Sequence, residues 1–449
     1  MNISASGNDV DGMASFRPNA VDSPDDGARG SGYKFSGAGN VNINATSVSG
    51  NGINLRDFDN TGMTGTLTIT GSSQSGSGVT VPEWGNVSLV NTTITGSSQT
   101  GTGILMNAGD SHSKKIDLNG NTLNGTSASG TGININGNNV SVANGSLTGT
   151  SQGSGAGVQL TGGSNYTVDG ATVTGTSAGG AGVSVDGNLS VANGTVKGDT
   201  VTGSGVNISG NLSTTNTTIN GNASGNGTGV SLSGNVTGDT TDKSIITGDS
   251  ASGTGVAVSG DHSVSNVTIN GATVNGTGIG VTGNLTSTGS VLNGNAAGTG
   301  TGVDLAGNVT GGNINGGSAE GTGVNVSGDS TLTDVTLNGS SNSGTGVDIT
   351  GNLTNKDNTT LTGNSVSGAG VGLNGTVTGG SLTGNSVSGP GMHVTGNSTL
   401  NGVEVNTSSQ SGPAMKVDGM LSTAGGTTLN GEVQKDSAEV RRQVYELQR

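Results

Sequence analysis

The chain has 449 residues, of which 91 are Gly and only 28% are hydrophobic, with one Trp, three Tyr and three Phe. That is too little apolar mass for a conventional globular core; no apolar run approaches the roughly 18 residues of a membrane-spanning helix, and five Pro without a G-X-Y period exclude collagen. Fourteen basic against 29 acidic residues give 14 − 29 = −15, which makes nucleic acid and anionic membranes poor partners.

Low complexity or disorder is the first reading of such a composition. Against it, only 10% of residues are charged and Pro is nearly absent, although those residues usually keep disordered chains soluble. A regular array, in which each repeat buries little and its neighbours supply the rest, accounts for both. There are no Cys. Their absence points to a reducing compartment or to a route that the chain threads unfolded.

Taken in chain order, residues 1–39 lack the repeat found later. They hold Pro18, Pro24, Phe16, Tyr33, Phe35 and an acidic run at Asp25 and Asp26, and are expected to be a partly disordered leader that becomes an N-terminal cap near Tyr33. Residues 1–36 show no charged region followed by an apolar one, so no signal peptide is visible.

Residues 40–431 carry the repeat. A tag of Gly-x-Gly followed by Val, Ile or Met recurs with anchors at Ile53, Val79, Ile104, Ile133, Val158, Val183, Val206, Val230, Val256, Ile279, Val303, Val324, Val347, Val371, Met392 and Met415, with Ala414 in place of the second Gly before the last. From Ile53 to Met415 is 362 residues over fifteen intervals, a mean of 24, with intervals of 21 to 29. From Ile133 on, a Gly lies four residues after every anchor. Apolar residues alternate over only three to five positions, the pattern of a short strand with one face inward. Gly-x-Gly and Gly-Asn bound each strand and read as turns that need positive φ. Such a unit cannot close on itself, and stacking predicts an all-β parallel β-helix (a β-solenoid) of about 16 rungs, spaced about 4.8 Å, or roughly 75 Å in all. A narrow bore filled by Val, Ile, Leu, Thr and Ala excludes large aromatics. The Asn that follows the turn Gly, at Asn138, Asn188, Asn211, Asn235, Asn284, Asn308, Asn352 and Asn397, is expected to form a structural ladder, each amide bonding the next.

Stacked Gly/Asn/Thr/Ser-rich coils with no Cys resemble the shafts of bacterial surface exoproteins, with autotransporter passengers and filamentous-haemagglutinin-like adhesins the nearest families. The resemblance covers about residues 40–430. It implies a secreted or cell-surface chain that crosses the outer membrane unfolded, a host-cell or neighbouring-cell surface ligand with glycan among the candidates, and an outer-membrane translocator not in this chain. It brings no catalytic motif and no cofactor. The sequence departs from those families in having no C-terminal β-barrel and no Asn-Pro-Asn-Gly secretion motif.

One stretch stands apart. Where later rungs carry Gly-Asn, the first two carry Asp57-Phe58 and Glu83-Trp84. If the rungs are in register, Asp57 and Glu83 stack about 5 Å apart, and Phe58 and Trp84 line the same edge. Carboxylates beside an exposed ring make a candidate glycan site, the basis of the alternative reading as a carbohydrate-binding or carbohydrate-active β-helix; large side chains closing an atypical end rung are the structural reading. His112, His262 and His393 lie in unrelated rungs, and no metal or nucleophile motif is present. Thr66-Leu67-Thr68 is the kind of Thr-x-Thr element that binds ice on a β-solenoid, but that frame does not recur at one fixed offset and predicts only a ragged array. Residues 432–449 read as a helix, with Asp436 and Glu439 at its start and Val440, Val444 and Leu447 on one face, acting as an end cap or a junction.

Overall fold

The computed structural model describes residues 1–7, 13–14, 33–55, 57–82, 86–107, 116–241 and 244–434. The helix expected over 432–449 therefore falls almost wholly outside the described residues. The chain divides into two compact units, Met1–Ser224 and Gly225–Arg449, taken separately below. Both are all-β parallel solenoids with no helix among the described residues. Seven of the sixteen anchors fall in the first unit and nine in the second.

A complete coil has three strands. In the first unit one coil runs Val158–Thr161, Asn165–Asp169 and Thr172–Ser177. In the second, one runs Thr254–Ser259, His262–Ser265 and Val267–Thr273. The strand that begins at the anchor lies on what is here termed the second face, the next on the third, and the Thr-x-x-Gly-x-Ser strand on the first. Parallel pairing needs a long crossover between partners, and the other two strands of each coil supply it. Pairing is in register: Val158 opposes Val183, Tyr166 opposes Leu189 and Val173 opposes Val196. In the second unit Val256 opposes Ile279 and Ile269 opposes Leu292. Each inward column thus stacks like on like, and Ile69, Ile94, Leu123 and Leu147 are fully buried one above another.

Two of the expectations need correction. The bore does admit rings. Tyr166 is 1% exposed, and its hydroxyl accepts a hydrogen bond from the Gly163 amide at 2.9 Å, while the missing side chain of Gly187 leaves room beside the ring. The Gly-x-Gly tag, moreover, is not a positive-φ turn. None of its glycines adopts positive φ. They are required because the first and second faces converge there with nothing between them. A Cβ on the tag residue Gly78 would lie 2.3 Å from the Ser97 amide nitrogen, and one on Gly278 would lie 2.5 Å from that of Asn295; on the facing strands, a Cβ on Gly71 or Gly271 would lie 2.1 Å from the Gly78 or Gly278 carbonyl oxygen. Positive φ is confined to other corners, as at Gly187 and Gly283 after the second face and at Asn193 and Asn266 before the first.

The same converging corner is wired by a buried hydroxyl. In the first unit Ser73, Ser98, Ser127, Ser151, Ser177 and Thr200 each donate to a Gly carbonyl of the preceding coil at 2.6 to 2.7 Å. Each of the first three also accepts from the Gly amide three residues on, at 2.8 Å. In the second unit Ser318 bonds Gly300 at 2.7 Å and Gly321 at 2.9 Å, and Ser341 bonds Gly321 and Gly344 likewise. One side chain satisfies a donor and an acceptor that the Gly-lined corner buries.

The repeat also starts before its motif does. Asn2–Gly7 pairs in parallel with Val41–Ser47, Ile3 opposing Ile43, and Met13 opposes Ile53. The tag is degenerate there: Val10 stands where later coils carry the first Gly.

Candidate functional site

The charged and aromatic stretch belongs to a small sheet on the third side of the first coils, made of Tyr33–Gly37, Asp57–Met63 and Asn86–Ser88. Its register differs from the expected stacking. Asp57 opposes Asn86 and Phe58 opposes Val87, so Glu83 is not the in-register partner of Asp57. Glu83 and Trp84 themselves lie outside the described residues. Phe58 is 2% exposed and packs against Phe35 with ring centroids 5.3 Å apart, so it presents no open face. Asp59 is held by Thr61, whose amide and hydroxyl donate to it at 2.9 and 2.6 Å, with Lys34 3.5 Å away. These contacts, the Thr61 hydroxyl first, hold its carboxyl below the usual range.

Two buried asparagines outside the repeat motif tie these coils together. Asn60, fully buried, donates to the Val90 carbonyl at 2.8 Å and accepts from the Val90 amide at 2.9 Å. Asn121 accepts from the Thr92 amide at 2.9 Å and donates to the Leu89 carbonyl at 3.2 Å. They sit where the residue spacing gives no recurring signal.

At the Gly-Asn turn the side chains find two kinds of partner. Some bond side chain to side chain: Asn188 to Asn165 at 3.3 Å, Asn284 to Asp261 at 2.9 Å, Asn308 to Asn284 at 2.8 Å and Asn352 to Asp329 at 2.8 Å. Others accept from a backbone amide one coil on: Asn138 from Ser164, Asn188 from Asn211 and Asn235 from Ser263, at 2.8 to 2.9 Å. The amides do not form one uninterrupted stack, because the coils between carry other residues at that position. Asn397 is exposed, and the equivalent residue of the next coil is Met420.

A second amide ladder carries no turn signal. On the outward side of the first face in the second unit, Asn293 donates to Asn270 at 3.0 Å, Asn315 to Asn293 at 2.9 Å and Asn338 to Asn315 at 3.0 Å.

Titratable groups are scattered over the outer surface. On the second face of the second unit, Asp304, Asn325 and Asp348 stack in one column, Asn325 donating to Asp304 at 2.7 Å. Burial pushes the Asp348 carboxyl up, as it does that of Asp249. Further along, His393 Nε2 lies 2.8 Å from Asp418, and Lys416 donates to the same carboxylate at 2.6 Å. Those two neighbours, Lys416 first, lower the Asp418 carboxyl. His262 contacts the Ser259 carbonyl, and His112 is outside the described residues. No group of three His, Asp or Glu side chains able to hold a metal occurs among the described residues. No protein-family model and no curated protein matches this chain.

Proposed function

We propose that this chain is the shaft of an adhesin-like exoprotein, secreted or held at a bacterial cell surface. It would work as a rigid scaffold that presents a binding surface to a host or neighbouring cell, with an outer-membrane translocator supplied by another chain. The observation that carries this reading is the wired corner. Within each unit, one buried Ser or Thr after another donates to a Gly carbonyl of the preceding coil and accepts from a Gly amide of its own. Coil-to-coil bonding of that kind gives stiffness along the stack and needs no disulfide. It also suits a chain without Cys that folds only after crossing a membrane. The outward positions are largely Thr, Ser, Asn and Gly, as a water-facing solenoid surface requires.

The test is adhesion of the purified chain. Beads coated with it should stay on epithelial or bacterial cells under flow, and soluble chain should displace them. Retention no better than albumin-coated beads on every surface tried would remove adhesion from the proposal.

A further inference from the structure

The outward side of the first face in the first unit is a two-dimensional lattice of hydroxyls. Five consecutive strands, opposed residue for residue without a bulge, present Thr68, Thr70 and Ser72; Thr93, Thr95 and Ser97; Thr122, Asn124 and Thr126; Ser146, Thr148 and Thr150; and Thr172, Thr174 and Thr176. Fourteen of these fifteen positions are Thr or Ser, and none is charged or aromatic. The frame Thr66-Leu67-Thr68 hid this regularity, since Thr66 precedes the strand Leu67–Ser73; the recurring frame is Thr68-Ile69-Thr70. Ser146 and Thr122 approach each other at 3.4 Å. The other twelve hydroxyls have no hydrogen-bond partner among the described residues. The lattice ends at the ion pair Lys197–Asp199, 3.1 Å, in the column positions that follow Thr174 and Thr176.

We propose that this face binds ice. Strands spaced about 4.8 Å and alternate residues spaced about 6.7 Å set the hydroxyl lattice. Tetrahedral water with oxygens about 2.75 Å apart repeats every about 4.5 Å in one direction and about 7.3 Å at right angles to it. Over three columns and five strands the two lattices drift apart by only about 1 Å in each direction. A Thr side chain supplies both a hydroxyl that joins the water lattice and a methyl that displaces loosely held water. A neutral crystalline polysaccharide is a poorer fit, because sugar rings are gripped by aromatic faces and carboxylates and this lattice has neither. The inference stands apart from adhesion to cells and survives if that fails.

The experiment compares the full chain with Thr148→Lys, Thr95→Lys and Asn315→Lys in assays of thermal hysteresis and ice recrystallisation. Lys is compatible with the fold in this column, since Lys197 already occupies it; circular dichroism confirms that each variant folds. The wild-type chain and Asn315→Lys should shape and restrain ice, and both Thr variants should lose that activity. A wild-type chain with no effect on ice, Thr variants that keep full activity, or binding to cellulose or chitin without any effect on ice would each overturn the proposal.

Discussion

The first face has the same inside and a different outside in the two units. Its inward column runs Ile69, Ile94, Leu123, Leu147 in the first unit and Ile269, Leu292, Ile314, Leu337 in the second, all fully buried. Over these stretches its outward middle column runs Thr70, Thr95, Asn124, Thr148, Thr174 in the first, followed by Lys197, and Asn270, Asn293, Asn315, Asn338 in the second, flanked by Thr247 and Thr362. In the second unit the amides spend their hydrogen bonds on one another; in the first the hydroxyls are left for the surroundings. The width of the bore and the Gly-lined corner constrain the inside. The outside is free to vary, and function can be written there without disturbing the coil.

That division can be broken at graded cost. The largest effect is expected from Ile269→Asp, which puts an unpaired charge into a fully buried column and should cost about 4 kcal/mol or more. Limited proteolysis should then open the coils around it. Ser318→Ala removes both corner bonds, stranding the Gly300 carbonyl and the Gly321 amide, for about 1–3 kcal/mol by urea denaturation. The lower end is expected, since Ala296 occupies the same column in the wild-type chain. Asn315→Ala breaks two ladder bonds and should cost about 0.5–1.5 kcal/mol. Thr148→Ala, whose side chain has no hydrogen-bond partner among the described residues, should stay within about 0.5 kcal/mol of wild type. Equal costs for these last two would erase the contrast between the two outer surfaces.

The smallest effect concerns pH. Burial raises the Asp348 carboxyl above its ordinary 3.8, so the folded chain holds that proton more tightly than the unfolded one. The associated stability is complete below 3.8 and is lost as pH rises through the raised value. Asp348→Asn should therefore stabilise the second unit at neutral pH and make no difference below 3.8. A gain of the same size at both would assign the effect to packing instead of charge.

Much of this architecture is legible in the residues. The 24-residue period, the anchors and the Gly four residues beyond them mark the second face and its far corner, because β alternation and positive φ leave direct marks on residue type. What stayed hidden depends on register or on proximity across the bore. Gly78 reads as a turn residue in the Gly-x-Gly tag until the Ser97 amide nitrogen is found 2.3 Å from where its Cβ would sit. Ser73 looks like solvent-facing filler in a Ser-rich stretch, yet it is buried and wires two coils. Asp57 could be paired with Glu83 by spacing alone, but the strand puts Asn86 opposite it. The Thr lattice shows only in the frame that the strands set, since turn lengths differ between coils while the strands stay aligned.

The central claim is that the coil closes by backbone against backbone at the Gly-lined corner. Two glycines of adjoining strands test it, Gly271 and Gly280. A Cβ on Gly271 would sit 2.1 Å from the Gly278 carbonyl oxygen, whereas one on Gly280 would meet nothing nearer than a Thr254 methyl at 3.6 Å. Urea denaturation of Gly271→Ala and Gly280→Ala, followed by protease resistance, measures the difference. The corner predicts a loss for Gly271→Ala well beyond the roughly 1 kcal/mol of an ordinary substitution. For Gly280→Ala it predicts no loss, or a gain of about 0.4–1 kcal/mol from a less flexible unfolded chain. Equal stability in the two variants would mean that the two faces do not meet, and would contradict the account.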